Sequence, residues 1–179
     1  MKPRLIGLVG YSGSGKTRAA KILMSYGYVR ERCAGPLKKM LKAMGLTHKE
    51  VDGCLRDQPC ELLGGKTPRD AMITLGTEWG RQMIDKNLWV RILMRRVDHL
   101  LMVGADIVID DVRFQEEAQA IKGRGGVIWR IDRPGVGPGS AHISETGQSD
   151  IVPDKVIVND GDDADLIHSV WVACQEYNP

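Results

Sequence analysis

Gly10-Tyr11-Ser12-Gly13-Ser14-Gly15-Lys16-Thr17 follows a short aliphatic run, Leu5 to Val9, and precedes helical spacing at Ala19, Ala20, Leu23 and Met24. This arrangement constrains the fold more than any other feature of the chain, because it predicts strand, glycine loop and helix in immediate succession. Gly-x4-Gly-Lys-Thr is the Walker A pattern, and it stands where its chemistry requires, at the end of a strand and the start of a helix. Glycines let successive backbone N–H groups turn toward one point, and the helix N-terminus adds partial positive charge. In such a cradle Lys16 reaches the β and γ phosphates of a nucleoside triphosphate, and the Thr17 hydroxyl can ligate Mg²⁺. Gly10, Ser12, Gly13, Ser14, Gly15, Lys16 and Thr17 are therefore candidate nucleotide-binding residues. A glycine-rich turn with no ligand would account for neither the lysine nor the threonine.

Strand and helix patterns alternate over the rest of the chain. Tyr28 to Arg32 can form a second strand, and Pro36 opens a helix through Met44, with proline suited to the first turn. Gly45 to Gly65 carries mixed signals, read as a connection with a short helix near Lys49 to Leu55. Thr67-Pro68 provides an N-cap and a first helical residue, and Ala71, Met72, Leu75, Trp79 and Met83 continue one helical face. Leu88 to Leu101 is a further helix, Asp106 to Ile109 a buried strand, Gln115 to Lys122 a helix and Gly126 to Ile131 a strand. Lys155 to Val158 and Asp163 to Gln175 close the series as strand and helix. The expected fold is α/β of the P-loop NTPase type: a mostly parallel sheet covered by helices on both faces. We expect one domain over residues 1–179, with a substrate-binding helical insertion at about 36–101 and a Gly- and Pro-containing flap at about 133–153.

A phosphate loop of this kind needs an acidic residue near the metal, at the carboxyl end of a neighbouring strand. Ile107-Val108-Ile109-Asp110-Asp111 supplies one, with Arg113 two residues on. Buried strands often end in aspartate for no catalytic reason, so the pair gains meaning only beside the upstream loop. If the strand continues through Arg113, alternation projects Asp111 and Arg113 together and Asp110 the other way. Asp111 is thus the candidate metal ligand, and Lys16, Asp111 and Arg113 the candidate catalytic set.

Charge and cysteine usage narrow the classes. With 25 basic and 23 acidic side chains, nothing in the total argues for a nucleic-acid or anionic-membrane partner. No apolar run approaches the roughly 20 residues of a membrane helix, and Met1 to Val9 lacks the pattern of a secretory signal. Cys33, Cys54, Cys60 and Cys174 stand singly, which suggests reduced thiols in a cytoplasmic protein. Guanine-specific switch proteins carry an Asn-Lys-x-Asp segment, and the chain has none. Arg56, Arg69, Arg81, Arg113, Arg130 and Arg133 are more arginines than one triphosphate needs, which favours a second anionic substrate.

Several segments in fixed order carry a resemblance. Cys33-Ala34-Gly35-Pro36-Leu37-Lys38, Thr67-Pro68-Arg69, Leu75-Gly76-Thr77-Glu78, Leu88-Trp89-Val90, Asp111-Val112-Arg113, Arg133-Pro134-Gly135, His142-Ile143-Ser144-Glu145 and Asn159-Asp160-Gly161 resemble the bacteriophage deoxynucleoside monophosphate kinases. A more distant likeness is to animal-type phosphomevalonate kinase. The resemblance implies ATP and Mg²⁺, a deoxynucleoside monophosphate acceptor and, for a viral source, the host cytoplasm. It implies that Lys38, Arg69, Gly76, Thr77 and Trp89 line the monophosphate site, that Arg113 reaches the phosphates, and that Arg133 serves the donor nucleotide. Small-molecule nucleotides would be the partners, with a homodimer as one arrangement. By spacing alone Trp79 and Trp89 read more readily as core than as base-stacking platforms, while Arg69 reads equally well as a solvated arginine and His142 as polar surface.

The chemistry of such an acceptor agrees with the residues present. A phosphate monoester has a second pKa of about 6, so at neutral pH it is mostly a nucleophilic dianion and needs no general base. Catalysis then reduces to holding two anions in line and offsetting their repulsion. A nucleotide-dependent switch or assembly NTPase, and a phosphomevalonate-type kinase, remain alternatives at this level.

Overall fold

The computed structural model of the chain describes residues 2–137, 148 and 150–177. It divides into two compact units, one of Met1–Arg32 with Leu93–Pro179 and one of Cys33–Ile92. The first unit is built on five strands, β1 (Leu5–Val9), β2 (Tyr28–Glu31), β3 (Asp106–Ile109), β4 (Val127–Asp132) and β5 (Lys155–Val158), in the order β2-β3-β1-β4-β5. Every pairing among the described residues is parallel. The central strands β1 and β3 are aliphatic and buried, as parallel strands covered on both faces are, while the edge strands β2 and β5 carry polar residues and are partly exposed.

Helices α1 (Lys16–Ser25) and α7 (Asp163–Gln175) cover one face. Their Ala19, Ala20, Ile22, Leu23, Leu166, Val170 and Ala173 pack with Ile6, Leu8, Val108, Ile131 and Ile157 of the sheet. The alternate residues of β1 face the helix α6 (Gln115–Lys122). A Cβ on Gly7 would lie 2.8 Å from the Cδ1 atoms of Ile121 and Ile128, so the glycine is what lets that helix approach closely. After β1 the chain turns toward the β2 edge, whereas after β3 it passes β1 to reach β4. The carboxyl ends of β1 and β3 therefore border the point where strand order reverses, where open α/β sheets bind their ligands.

The second unit contains α2 (Gly35–Ala43), α3 (His48–Val51), a 3₁₀ turn (Glu61–Leu63), α4 (Pro68–Ile73) and the start of α5 (Leu88–Met102). Its core joins Leu41, Leu46 and Val51 to Leu63, Ala71, Met72 and Leu75. Thr47 with Glu50 and Thr67 with Asp70 form reciprocal caps, each hydroxyl accepting from the N3 amide while the carboxylate accepts from the cap amide. One difference from the sequence expectation falls here. The helix begun at Thr67 does not stay α-helical; Thr74–Ile84 is a π-helix. Gly76 and Gly80 explain why the wider turn is accommodated: Trp89 donates its indole N–H to Gly76 O at 2.7 Å, and a Cβ on Gly80 would come within 2.5 Å of that nitrogen.

Candidate active site

The phosphate loop leaves β1 at Gly10, whose φ of 142° belongs to glycine, and a Cβ there would strike Ile131 O at 2.4 Å. Gly13 and Gly15 also have positive φ, 86° and 107°. Lys16 curls back over the loop, its Nζ donating to Gly10 O at 2.5 Å and to Tyr11 O at 2.7 Å. Thr17, in the first turn of α1, is exposed, as are Ser12 and Gly13, while Ser14 is buried. Two side chains from distant sequence hold the loop in place. Asn159 Nδ2 donates to Ser14 O at 2.8 Å, and Gln148 Oε1 accepts from Gly10 N at 3.0 Å.

The acidic pair lies at the end of β3. Strand pairing stops at Ile109, short of Arg113, yet burial still alternates: Asp110 and Val112 are buried and Asp111 and Arg113 half-buried. The register Gly7↔Ile109 carried forward sets Asp111 level with Val9, immediately before the loop. Asp110 is turned to other work, since it accepts from Arg30 and, at 3.2 Å, from Arg32 Nε. The Glu117 carboxylate is also buried, and its Oε2 accepts from Arg113 N at 2.8 Å and Phe114 N at 3.2 Å. It thereby fixes the backbone that carries Arg113. Arg133 follows β4 and is exposed; its carbonyl accepts from Val136 N at 3.0 Å. His142, Ser144, Glu145 and most of the expected flap lie outside the described residues.

The remaining candidates belong to the helical unit. Lys38 and Lys42 both donate to Asp52, at 2.8 Å each. Burial pushes the Asp52 carboxyl upward, but the two ammonium groups outweigh it and hold the carboxyl well below the usual range. Arg69 pairs with Asp57, whose carboxyl it lowers. Gly76 and Thr77 sit half-buried on the π-helix, and Trp89 is buried with its ring 6.2 Å from that of Trp79. Trp89 therefore does packing work in this unit. Arg30, Arg32, Glu117, Gln148 and Asn159 are the residues near the loop and acidic pair to which sequence reasoning gave no role. Only Asn159 carried a signal, as part of Asn159-Asp160-Gly161.

A glycine loop with lysine and threonine at the carboxyl end of β1, next to an acidic strand end at the sheet's reversal point, defines a P-loop NTPase fold. An APS kinase of Mycobacterium tuberculosis shares that fold, with a TM-score of 0.51 at 15% identity over 98% of this chain and 99% of its own. The family model for deoxynucleotide monophosphate kinase matches residues 66–170. A protein of Acanthamoeba polyphaga mimivirus, provisionally named a deoxynucleotide monophosphate kinase, is 35% identical, with 95% of both chains covered. The deoxynucleotide monophosphate kinase of Enterobacteria phage T4 is 25% identical over 93% of this chain and 97% of its own. The chain belongs to the deoxynucleotide monophosphate kinase family.

Proposed function

We propose that the chain transfers the γ-phosphoryl group of ATP to a deoxynucleoside 5′-monophosphate, yielding ADP and the deoxynucleoside 5′-diphosphate. The observation that carries this reading is the phosphate loop and Asp111 brought level at the reversal point of the sheet, in a chain of this family. Lys16, presented by the loop carbonyls, offsets the charge of the β and γ phosphates. Backbone N–H groups of the glycine loop and the N-terminus of α1 fix the donor, and Arg113, on a backbone clamped by Glu117, neutralises the transferring group. Lys38, Arg69, Gly76, Thr77 and Trp89 are assigned to the acceptor, and Arg133 to the donor nucleotide.

Mg²⁺ suits the donor set. A threonine hydroxyl and a carboxylate are hard oxygen ligands, and the described residues contain no cluster of three or more His, Cys, Asp or Glu that would build an all-protein site. Mg²⁺ characteristically takes one or two protein oxygens and completes its shell with substrate phosphates and water. Thr17 and Asp111 would hold it, and it would supply positive charge that offsets the charge of the phosphates. The acceptor arrives as a dianion, so the protein's task is alignment and charge neutralisation rather than proton abstraction. The same reading places the enzyme in the cytoplasm, that of the host for a viral source, acting on small nucleotides; sedimentation velocity reads whether it works as a homodimer. No described helix is long and apolar enough to cross a membrane.

The test is a panel of deoxynucleoside monophosphates, ribonucleoside monophosphates and phosphomevalonate, each with ATP and Mg²⁺, followed by ADP release. ADP should form with a deoxynucleoside monophosphate and not without an acceptor, and the ribonucleotides read whether ribose is excluded. Steady hydrolysis without an acceptor that responds to a macromolecule would replace the kinase reading with a switch. Turnover confined to phosphomevalonate would replace the substrate.

A further inference from the structure

We infer that Gln148 is a positioning residue of the phosphate loop, holding its first amide so that Lys16 is presented to the triphosphate. The inference rests on the ATP-binding part of the proposed function and on contacts inside the sheet unit. Gly10 is the hinge between β1 and the loop, and its N–H does not continue the strand ladder. Gln148 Oε1 accepts it at 3.0 Å from 138 positions along the chain. Gln148 is only 4% exposed, so the bond is little weakened by competing water.

The glutamine is itself gripped. Its carbonyl accepts from Ile151 N at 3.3 Å, and Arg130 Nη2 donates to Gln148 O at 3.3 Å and to Ile151 O at 2.7 Å. Arg130 stands on β4 opposite Val9, the residue before Gly10, so the grip comes from the strand next to the loop's own. A continuous chain of contacts results. Arg130 fixes the Gln148 turn, the Gln148 amide fixes Gly10 N–H, and Gly10 O with Tyr11 O receives the Lys16 ammonium. Asn159 holds the other end of the loop through Ser14 O, which leaves Gly10 as the end that Gln148 controls.

A role confined to satisfying a buried N–H would affect stability alone. Positioning makes a different demand, because the loop serves the donor: affinity for ATP should fall while affinity for the acceptor stays. Gln148→Met keeps side-chain length and removes the acceptor oxygen. Calorimetric titration with Mg²⁺ and ATP should show affinity reduced by about three- to tenfold, the worth of one neutral hydrogen bond. A deoxynucleoside monophosphate, titrated separately, should bind within about twofold of wild type, a difference far below the roughly tenfold step that marks a lost contact. Amide exchange at Gly10, followed in ¹⁵N-glycine-labelled protein, should accelerate in the same variant. Arg130→Met, which leaves the glutamine in place but removes its grip, should move ATP affinity and Gly10 exchange in the same direction by less. It also keeps the inference testable if Gln148→Met does not fold. Unchanged ATP affinity in a folded Gln148→Met protein, or equal losses for ATP and the monophosphate, would overturn the inference. With Arg130→Met as the only folded variant, unchanged ATP affinity and Gly10 exchange would do the same. Failure of the kinase reading registers elsewhere: wild-type protein would bind ATP yet phosphorylate no deoxynucleoside monophosphate.

Discussion

Cations are held in two ways in this protein. In the sheet unit Lys16 donates to the backbone carbonyls of its own loop, whereas in the helical unit Lys38 and Lys42 share Asp52 and Arg69 pairs with Asp57. A carbonyl orients an ammonium through a dipole. A carboxylate orients it and also cancels its charge, so a phosphate approaching Lys38 or Arg69 must compete with an existing anion. The comparison teaches that the loop is shaped for a polyanion by glycine geometry, while Lys38, Lys42 and Arg69 in the helical unit already face carboxylates.

The largest effect tests the first half of that comparison. Lys16→Ala should leave the fold intact and reduce kcat by on the order of 10²- to 10³-fold, the range for losing one preorganised electrostatic contact. Retention of more than about a tenth of wild-type kcat would limit the loss to under ~1.4 kcal/mol, too little for a lysine that serves the phosphates.

The adjacent aspartates sharpen it. We expect Asp111→Asn to lose about 10²- to 10³-fold in kcat with its melting temperature preserved. Asp110 has a side chain only 3% exposed and binds Arg30 and Arg32. Its replacement by asparagine should spare kcat to within about tenfold but destabilise the sheet unit by about 3 kcal/mol, since two guanidinium groups lose their counter-charge. Steady-state kinetics paired with thermal melts decide it, and reversal of the two phenotypes would show that Asp110 is the metal-site acid.

The helical unit can be broken by volume. Gly80→Ala sets a methyl 2.5 Å from Trp89 Nε1, and overpacking of this kind should destabilise by about 1–3 kcal/mol. Urea unfolding at wild-type stability would mean that the π-helix has room to relax and that Trp89 does not set its width.

The smallest effect concerns charge balance. The folded Asp52 carboxyl sits below its ordinary range, so its contribution is fully present at neutral pH. It fades as pH falls from the unfolded value of about 3.9 toward the lower folded one. Asp52→Asn should therefore be less stable than wild type at pH 7 and lose less stability below about pH 4. Denaturant midpoints measured from pH 7 down to 2.5 report this directly, and parallel curves for the two proteins would refute it.

Hydrophobic periodicity and turn chemistry were enough to place β1, α1, β3, α6, β4, β5 and α7, because parallel strands and amphipathic helices write their burial into local spacing. Gly10, Lys16 and Thr17 were legible for the same reason: a phosphate loop is a local object whose backbone angles demand glycine at fixed positions. β3 ends at Ile109, as its aliphatic run predicts, and beyond it the alternation that sets Asp111 with Arg113 is carried by burial rather than by strand pairing. The π-helix from Thr74 was not legible, because its residues repeat at α-helical spacing and its width reflects Trp89 lying over Gly80. Gln148, Asn159, Arg30 and Glu117 escaped for a related reason. Each acts through a hydrogen bond or ion pair to residues that the fold brings near or the chain's turn exposes, and three of the four reach across 80 or more positions. Sequence determined where the phosphates can bind, through chemistry contained in eight consecutive residues. Tertiary structure alone decided which distant side chains hold that loop in shape, because a hydrogen bond between remote residues leaves no periodic trace in either segment.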